Sequence, residues 1–148
     1  MRNTRLHILL AGTVTLSSNL SVFACTYTPP PSPKIALKAS AAVFAGRVRD
    51  IKQVLLGKGR EKRRVKEIQF QAVKFWRGIS HKTVVVRTGF NTCSYPFQKG
   101  SKYLVYAYGG PSQGRKVLYT SICTRTKNLT KAQMDLAALG IGKVALTT

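Results

Sequence analysis

The sequence predicts a mainly β domain: a small closed or nearly closed barrel of five strands, with one helix packed against it near the C-terminus. Three observations carry this reading. Five apolar, β-branched or aromatic runs are separated by stretches rich in Gly, Pro or charge. A single well-marked helix pattern follows the fifth run. The chain has 148 residues, 44% of them hydrophobic, which suffices for one core and one domain and shows no internal repeat.

Residues 1–24 open with Arg2 and Arg5, continue through an apolar run from Leu6 to Leu16, and end in Val22-Phe23-Ala24. A span of the bilayer needs about 20 apolar residues, and Thr, Ser and Asn interrupt this shorter run, so the pattern is that of a secretory signal. Cleavage after Ala24 leaves residues 25–148 as one exported domain that begins at Cys25 and keeps all but two charges of the formal +21. Next come Thr26-Tyr27-Thr28 and Pro29-Pro30-Pro31-Ser32-Pro33, an extended arm, since prolines donate nothing to a sheet.

Lys34 to Ser40 allows a short helix, and Ala42 to Ile51 reads as the first strand, with Gly46 marking a bulge. Leu56 to Lys66, with two glycines and six cations, reads as an exposed hairpin tip. In the second strand, Val65 to Trp76, residues Ile68, Phe70 and Ala72 share one parity and Val73 and Phe75 the other, which predicts a bulge or change of face near Ala72. Lys82 to Thr88 forms the third strand, Phe90 to Gln98 an irregular loop, and Ser101 to Tyr108 the fourth strand. Gly109-Gly110-Pro111-Ser112 reads as a turn before a fifth strand, Val117 to Ile122. The helix has Thr130 as N-cap, Gln133 as capping-box partner, Leu129 and Met134 as a hydrophobic staple, and Gly140 as its stop. Ala132, Leu136 and Leu139 share one face of it.

Composition argues against catalysis. The acids are Asp50, Glu61, Glu67 and Asp135, so a two-carboxylate mechanism would need scattered residues to converge, and His7 and His81 cannot assemble a zinc centre. We expect no enzyme activity and no cofactor or metal of the chain's own. Cys25, Cys93 and Cys123 all follow the signal, where an oxidising compartment permits one bridge and one leftover thiol. No CxxC pair occurs, and an unpaired Cys123 is expected to be buried and inert. Lys58, Arg60, Lys62, Arg63, Arg64 and Lys66 concentrate charge on the hairpin, a pattern suited to acidic polysaccharide or an anionic membrane surface. Export removes nucleic acid as an expected partner. Tyr103, Tyr106, Tyr108 and Tyr119 alternate at strand period and are expected to pack the sheet rather than stack on ligands, and Trp76 to anchor the core or its rim.

Six segments stand in one order along the chain: Cys25-Thr26-Tyr27-Thr28-Pro29-Pro30, Ala42-Val43-Phe44-Ala45-Gly46-Arg47-Val48, Phe75-Trp76-Arg77-Gly78, Thr92-Cys93-Ser94-Tyr95-Pro96-Phe97, Lys102-Tyr103-Leu104-Val105-Tyr106-Ala107 and Thr120-Ser121-Ile122-Cys123-Thr124-Arg125. Together they resemble the N-terminal domain of the tissue inhibitors of metalloproteinases, in the netrin-like group, and its bacterial single-domain members. The resemblance implies an OB-fold-like, five-stranded Greek-key barrel with an N-terminal disulfide-tethered arm and a C-terminal helix. It also implies a secreted inhibitor of zinc metalloendopeptidases. Cys25 would chelate the partner's zinc through its α-amine and carbonyl, Thr26 would enter the specificity pocket, and Cys93 would hold Cys25 by a disulfide. The family's second cysteine is Tyr27 here and a third aligns with Leu37, which leaves Cys123 as a free thiol. The alternative is a Cys93–Cys123 bridge with Cys25 lipidated, giving a basic, membrane-tethered OB-fold module that binds envelope or matrix polyanions.

Overall fold

The computed structural model describes residues 31–112 and 115–146. The expected signal segment, Cys25, Thr26 and the first part of the arm lie outside the described residues. Helix α1 (Pro33–Ala39) starts where the Ser32 hydroxyl accepts a hydrogen bond from the Ile35 N–H at 3.4 Å, with Pro33 in the first turn, where a missing N–H costs nothing. Strands β1 (Ala42–Leu56) and β2 (Arg63–Arg77) form a long antiparallel hairpin, followed by β3 (Thr83–Thr88), β4 (Lys102–Ser112) and β5 (Arg115–Tyr119). The strand order is β1-β2-β3-β5-β4, and β4 pairs back onto β1, closing a ring that leaves none of the five as an open edge. Within the ring the β3–β5 pair is parallel, and the others are antiparallel. Two short strands, β6 (Lys127–Asn128) and β7 (Lys143–Val144), add to β4 and β2, and helix α2 (Gln133–Leu139) lies between them in sequence.

A sheet this small closes only if its strands bend sharply, and bulges supply the bend. The β1–β2 register shifts three times, once where Ala45 faces Lys74 but Gly46 faces Ala72, so Val73 is the extra residue. Gly46 is needed there, because a Cβ would sit 2.9 Å from the Gln71 carbonyl oxygen. The expected bulge near Ala72 is therefore present. Phe75 turns to the core as its parity suggested, while Val73 points out, 55% exposed.

Apolar residues on both faces of β1 and β4 build two cores. Phe44, Val48, Ile68, Phe70, Val86, Tyr103 and Val105 fill the barrel, with Phe70 edge-on to Phe44 at 5.3 Å and to Phe97 at 5.2 Å between ring centres. Val43, Leu104 and Tyr106 face outward into a second cluster with Ala36 of α1 and Ala132, the residue before α2. Trp76, Leu136 and Leu139 pack against it, and the Trp76 indole N–H donates to the Gly140 carbonyl at 3.0 Å. Tyr103 and Tyr106 are thus packing residues, as expected.

Three expectations are corrected. Gly109 to Ser112 is not a turn but the end of β4, paired with Leu118 to Arg115; glycine at 110 leaves room for the Tyr119 ring, which a Cβ would approach to 3.0 Å. The fifth strand stops at Tyr119 because Thr120 turns inward to bond the Tyr106 carbonyl. The final helix is not capped by Thr130. Asn128 instead caps a 3-10 turn (Leu129–Lys131), its side chain accepting from the Thr130 N–H at 3.0 Å, and α2 follows. Met134, 85% exposed, forms no staple.

Gly78, at φ 74°, gives a direct check of the closure between β2 and the start of β1, since a Cβ there would lie 1.9 Å from the Ala41 carbonyl oxygen. Gly78→Ala is expected to cost about 3 kcal/mol or more in urea unfolding, combining left-handed strain with overpacking. Gly59→Ala, at φ 58° but with open space around it, is expected to cost only about 1 kcal/mol. Equal losses would contradict the closure described.

Candidate functional site

The end of the arm is held by a charge cluster beneath α2. Asp135 lies in the first turn of α2 and is 1% exposed. The Arg125 guanidinium donates to both of its oxygens, Nε to Oδ2 at 2.9 Å and Nη2 to Oδ1 at 2.8 Å. Lys127 Nζ reaches Oδ1 at 2.9 Å, and the Tyr106 hydroxyl donates to Oδ2 at 2.9 Å. Burial by itself would raise the Asp135 carboxyl, but the hydrogen bonds from Arg125, Lys127 and Tyr106 outweigh it and hold the group down to about 2. Burial first, then the bond to Asp135, pushes the Tyr106 hydroxyl above its ordinary range. The third arm of the Arg125 fork leaves the cluster: Nη1 donates to the Pro31 carbonyl at 2.5 Å, tying the third proline of the arm to the barrel.

Arg125 is placed by a threonine clasp. The Tyr106 N–H donates to Thr126 Oγ1 at 2.9 Å, and the Thr120 and Thr126 hydroxyls bond the Tyr106 carbonyl at 3.1 and 3.2 Å and lie 2.9 Å apart. Segment 120–126 is thereby fastened to β4 by buried hydroxyls rather than by a strand ladder.

The same segment touches the loop that carries Cys93. The Ile122 N–H donates to the Cys93 carbonyl at 3.0 Å, and the Asn91 side chain accepts from the Cys93 N–H at 3.2 Å in an Asx turn. Farther along, the Tyr95 N–H donates to Thr88 Oγ1 at 3.0 Å, and Tyr95 and Phe97 pack on Tyr103. Cys93 is disulfide-bonded, whereas Cys123 is a free, exposed thiol. This excludes the Cys93–Cys123 bridge. It also corrects the expectation of a buried Cys123: Thr120 and Thr126 take the interior positions of the segment and leave Cys123 on the outside of the turn.

The cationic run lies where the sequence puts it. Lys58, Arg60, Lys62, Arg63 and Arg64 are exposed around the β1–β2 turn, and Lys66 stacks over the Phe90 ring at 5.1 Å. Among the described residues none of the six forms an ion pair. Arg63 and Arg64, but not the four others, line a groove of about 560 Å³ that also contains Phe90, Cys93, Tyr108 and Tyr119. The last two rings stack on each other at 5.9 Å as a cross-strand pair, the sheet packing expected of them, with Tyr108 47% exposed on the groove side. The groove was not legible in the sequence because four separate stretches build it.

Of the other three acids, Asp50 and Glu67 serve as partners of cations, and Glu61 forms no ion pair among the described residues. Glu67 pairs with Arg87 at 2.6 Å and Asp50 with Lys99 at 3.5 Å. Among the described residues no group of three His, Cys, Asp or Glu side chains could hold a metal ion, and no helix is long and apolar enough to cross a membrane. Cys25 and Thr26 lie outside the described residues. No family model matches the chain, and no curated protein matches it either.

Because the folded Asp135 carboxyl is depressed to about 2 from 3.8, its contribution is complete above about pH 5 and disappears as pH falls towards 2. That contribution is expected to be about 2 kcal/mol. Asp135→Asn should cost about 3–5 kcal/mol at pH 7 by stranding Arg125, and its stability should fall less steeply than that of the parent between pH 5 and pH 2. Urea unfolding across this range measures both.

Proposed function

We propose that the protein is an exported inhibitor of zinc metalloendopeptidases that acts through Cys25 at the start of the mature chain. The observation that carries this reading is the double anchorage around segment 120–126, where Arg125 holds Pro31 and Ile122 meets the backbone of the disulfide-bonded Cys93. With Cys123 free, a Cys25–Cys93 bond is the pairing that fits the three cysteines of the chain. The closed ring, its parallel β3–β5 pair and the helix before its last short strand agree with an OB-type Greek-key barrel.

The chemistry follows from a neutral α-amine and the carbonyl of the same residue, which close a five-membered chelate ring. Such a pair displaces the water from the open coordination position of a catalytic zinc. An α-amine with pKa of about 8 gives up its proton readily on metal binding. The proline arm and the disulfide hold the wedge in shape before docking, which reduces the entropy lost on association. On this reading Thr26, next in the chain, would enter the pocket beside the metal. The metal belongs to the protease; this chain supplies ligands and no cofactor.

A second reading is supported by the six hairpin cations, which lack acidic partners among the described residues. On this reading the β1–β2 turn binds acidic polysaccharide or an anionic membrane surface, with Arg63 and Arg64 leading into the groove beside Phe90.

The first reading predicts that one alanine placed before Cys25 abolishes inhibition of a susceptible zinc endopeptidase, measured as at least a hundredfold rise in the inhibition constant. An unchanged constant would sink the chelation mechanism. The second predicts that changing Lys58, Arg60, Lys62, Arg63, Arg64 and Lys66 to serine moves elution from a heparin column to clearly lower salt. Unaltered retention would remove the hairpin as the binding element.

A further inference from the structure

The outer face of the barrel is only partly covered. Where α1 and α2 lie on it, Val43, Leu104 and Tyr106 are buried, but the cover ends at Gly140, and beyond it the face opens into a groove of about 450 Å³. This volume falls in the range of small-molecule sites, about 300–1,000 Å³. The small residues Ala45 and Gly46, where the β1–β2 register shifts, line the groove from β1. Trp76 and Leu136 form the wall, and Val73 and Ile141 form the lip. Ile141 is 100% exposed and Val73 55%, so two apolar side chains stand in water at the mouth of an apolar groove.

The groove's polar side chains are both cationic. Lys74 faces Ala45 from β2, and Lys102 faces Arg47 from β4, so the two lysines flank β1 from opposite sides. Neither forms an ion pair among the described residues, and no carboxylate lines the groove. Arg47, between them in register, directs Nη1 to the Gly100 carbonyl at 2.9 Å and does not line the groove, so the charges along it are the two ammonium groups. The Trp76 N–H is already satisfied by Gly140, so the indole presents apolar ring surface to the groove.

We propose that this groove binds a free single-chain fatty carboxylate, with the alkyl chain over Ala45, Gly46 and Trp76 and the carboxylate between Lys74 and Lys102. An apolar trough with two unpaired cations and no acid complements an anionic head on a hydrocarbon tail. A neutral ligand would leave both charges idle, and a polyanion would have no use for the trough. The site shares no residue with the proposed inhibitory terminus or with the cationic hairpin, and it stands or falls independently of them.

Trp76 is the single tryptophan of the chain, so its emission reports this groove directly. The exported full-length domain would be titrated with saturated carboxylates of increasing chain length, below their aggregation concentrations, beside alcohols of the same lengths and acetate. The expected result is a saturable one-to-one blue shift that tightens up to about fourfold per added methylene until the trough is filled. Acetate should give no response, and each alcohol should bind at least tenfold more weakly than its carboxylate. Lys74→Gln with Lys102→Gln should reduce carboxylate binding to the alcohol's level and leave the alcohol unchanged. Ile141→Glu, at a fully exposed position, should weaken carboxylate binding without affecting the fold. The proposal is overturned by any of several results: no response at any length, equal affinity for alcohol and carboxylate, or insensitivity to the lysine pair. It also fails if the response is lost when the hairpin cations become serine, if only anionic vesicles shift the emission, or if sedimentation shows a dimer whose interface covers Trp76.

Discussion

The buried carboxylate of Asp135 organises everything outside the barrel. It receives hydrogen bonds from Arg125, Lys127 and Tyr106, which come from the 120–126 segment, β6 and β4, and it sits at the start of α2. Isolated, such a charge would be expelled from the interior, and its burial is tolerable only because donors converge on both oxygens. The same guanidinium that neutralises it reaches Pro31, so the docking of α2 and the docking of the arm share one group. In a chain with 25 Lys and Arg against 4 Asp and Glu, spending one acid here leaves few to temper the surface.

That imbalance connects the fold to its proposed chemistry. The barrel closes because bulges at Gly46 and Val73 curl β1 and β2, and closure brings the Cys93 loop beside the 120–126 segment. In the proposed mechanism, an arm fastened at Pro31 and tethered through Cys93 would present a short N-terminal wedge with little freedom left to lose. The hairpin cations project from the far end of the longest strands, and Arg63, Arg64 and Cys93 meet along one groove.

Much of this was readable before the structure, and the failures have physical causes. Strands with clear alternation and punctuated ends, such as 83–88, were evident, and the parity change near Ala72 correctly marked a bulge. Gly109-Gly110-Pro111-Ser112 was misread because glycine there makes room for the Tyr119 ring instead of turning the chain. Strands of two residues, β6 and β7, carry no pattern at all. The hairpin cations were legible because they are consecutive in sequence. Asp135 was counted only as a stray acid, since its partners eight, ten and twenty-nine residues away become neighbours only once the ring closes. Nothing in the sequence marks the threonines at 120, 124 and 126 as a clasp, and Cys123 among them, expected inside, lies outside because Thr120 and Thr126 take the interior positions.

The most direct test of the account is the intact, non-reduced mass of the naturally processed protein, with thiol alkylation and peptide mapping. The account predicts a chain that starts at Cys25 with an unmodified α-amine, a Cys25–Cys93 bond and one alkylatable thiol at Cys123. A lipidated Cys25, a different first residue, or a free Cys93 would contradict it, because the proposed zinc ligand would then be absent or untethered.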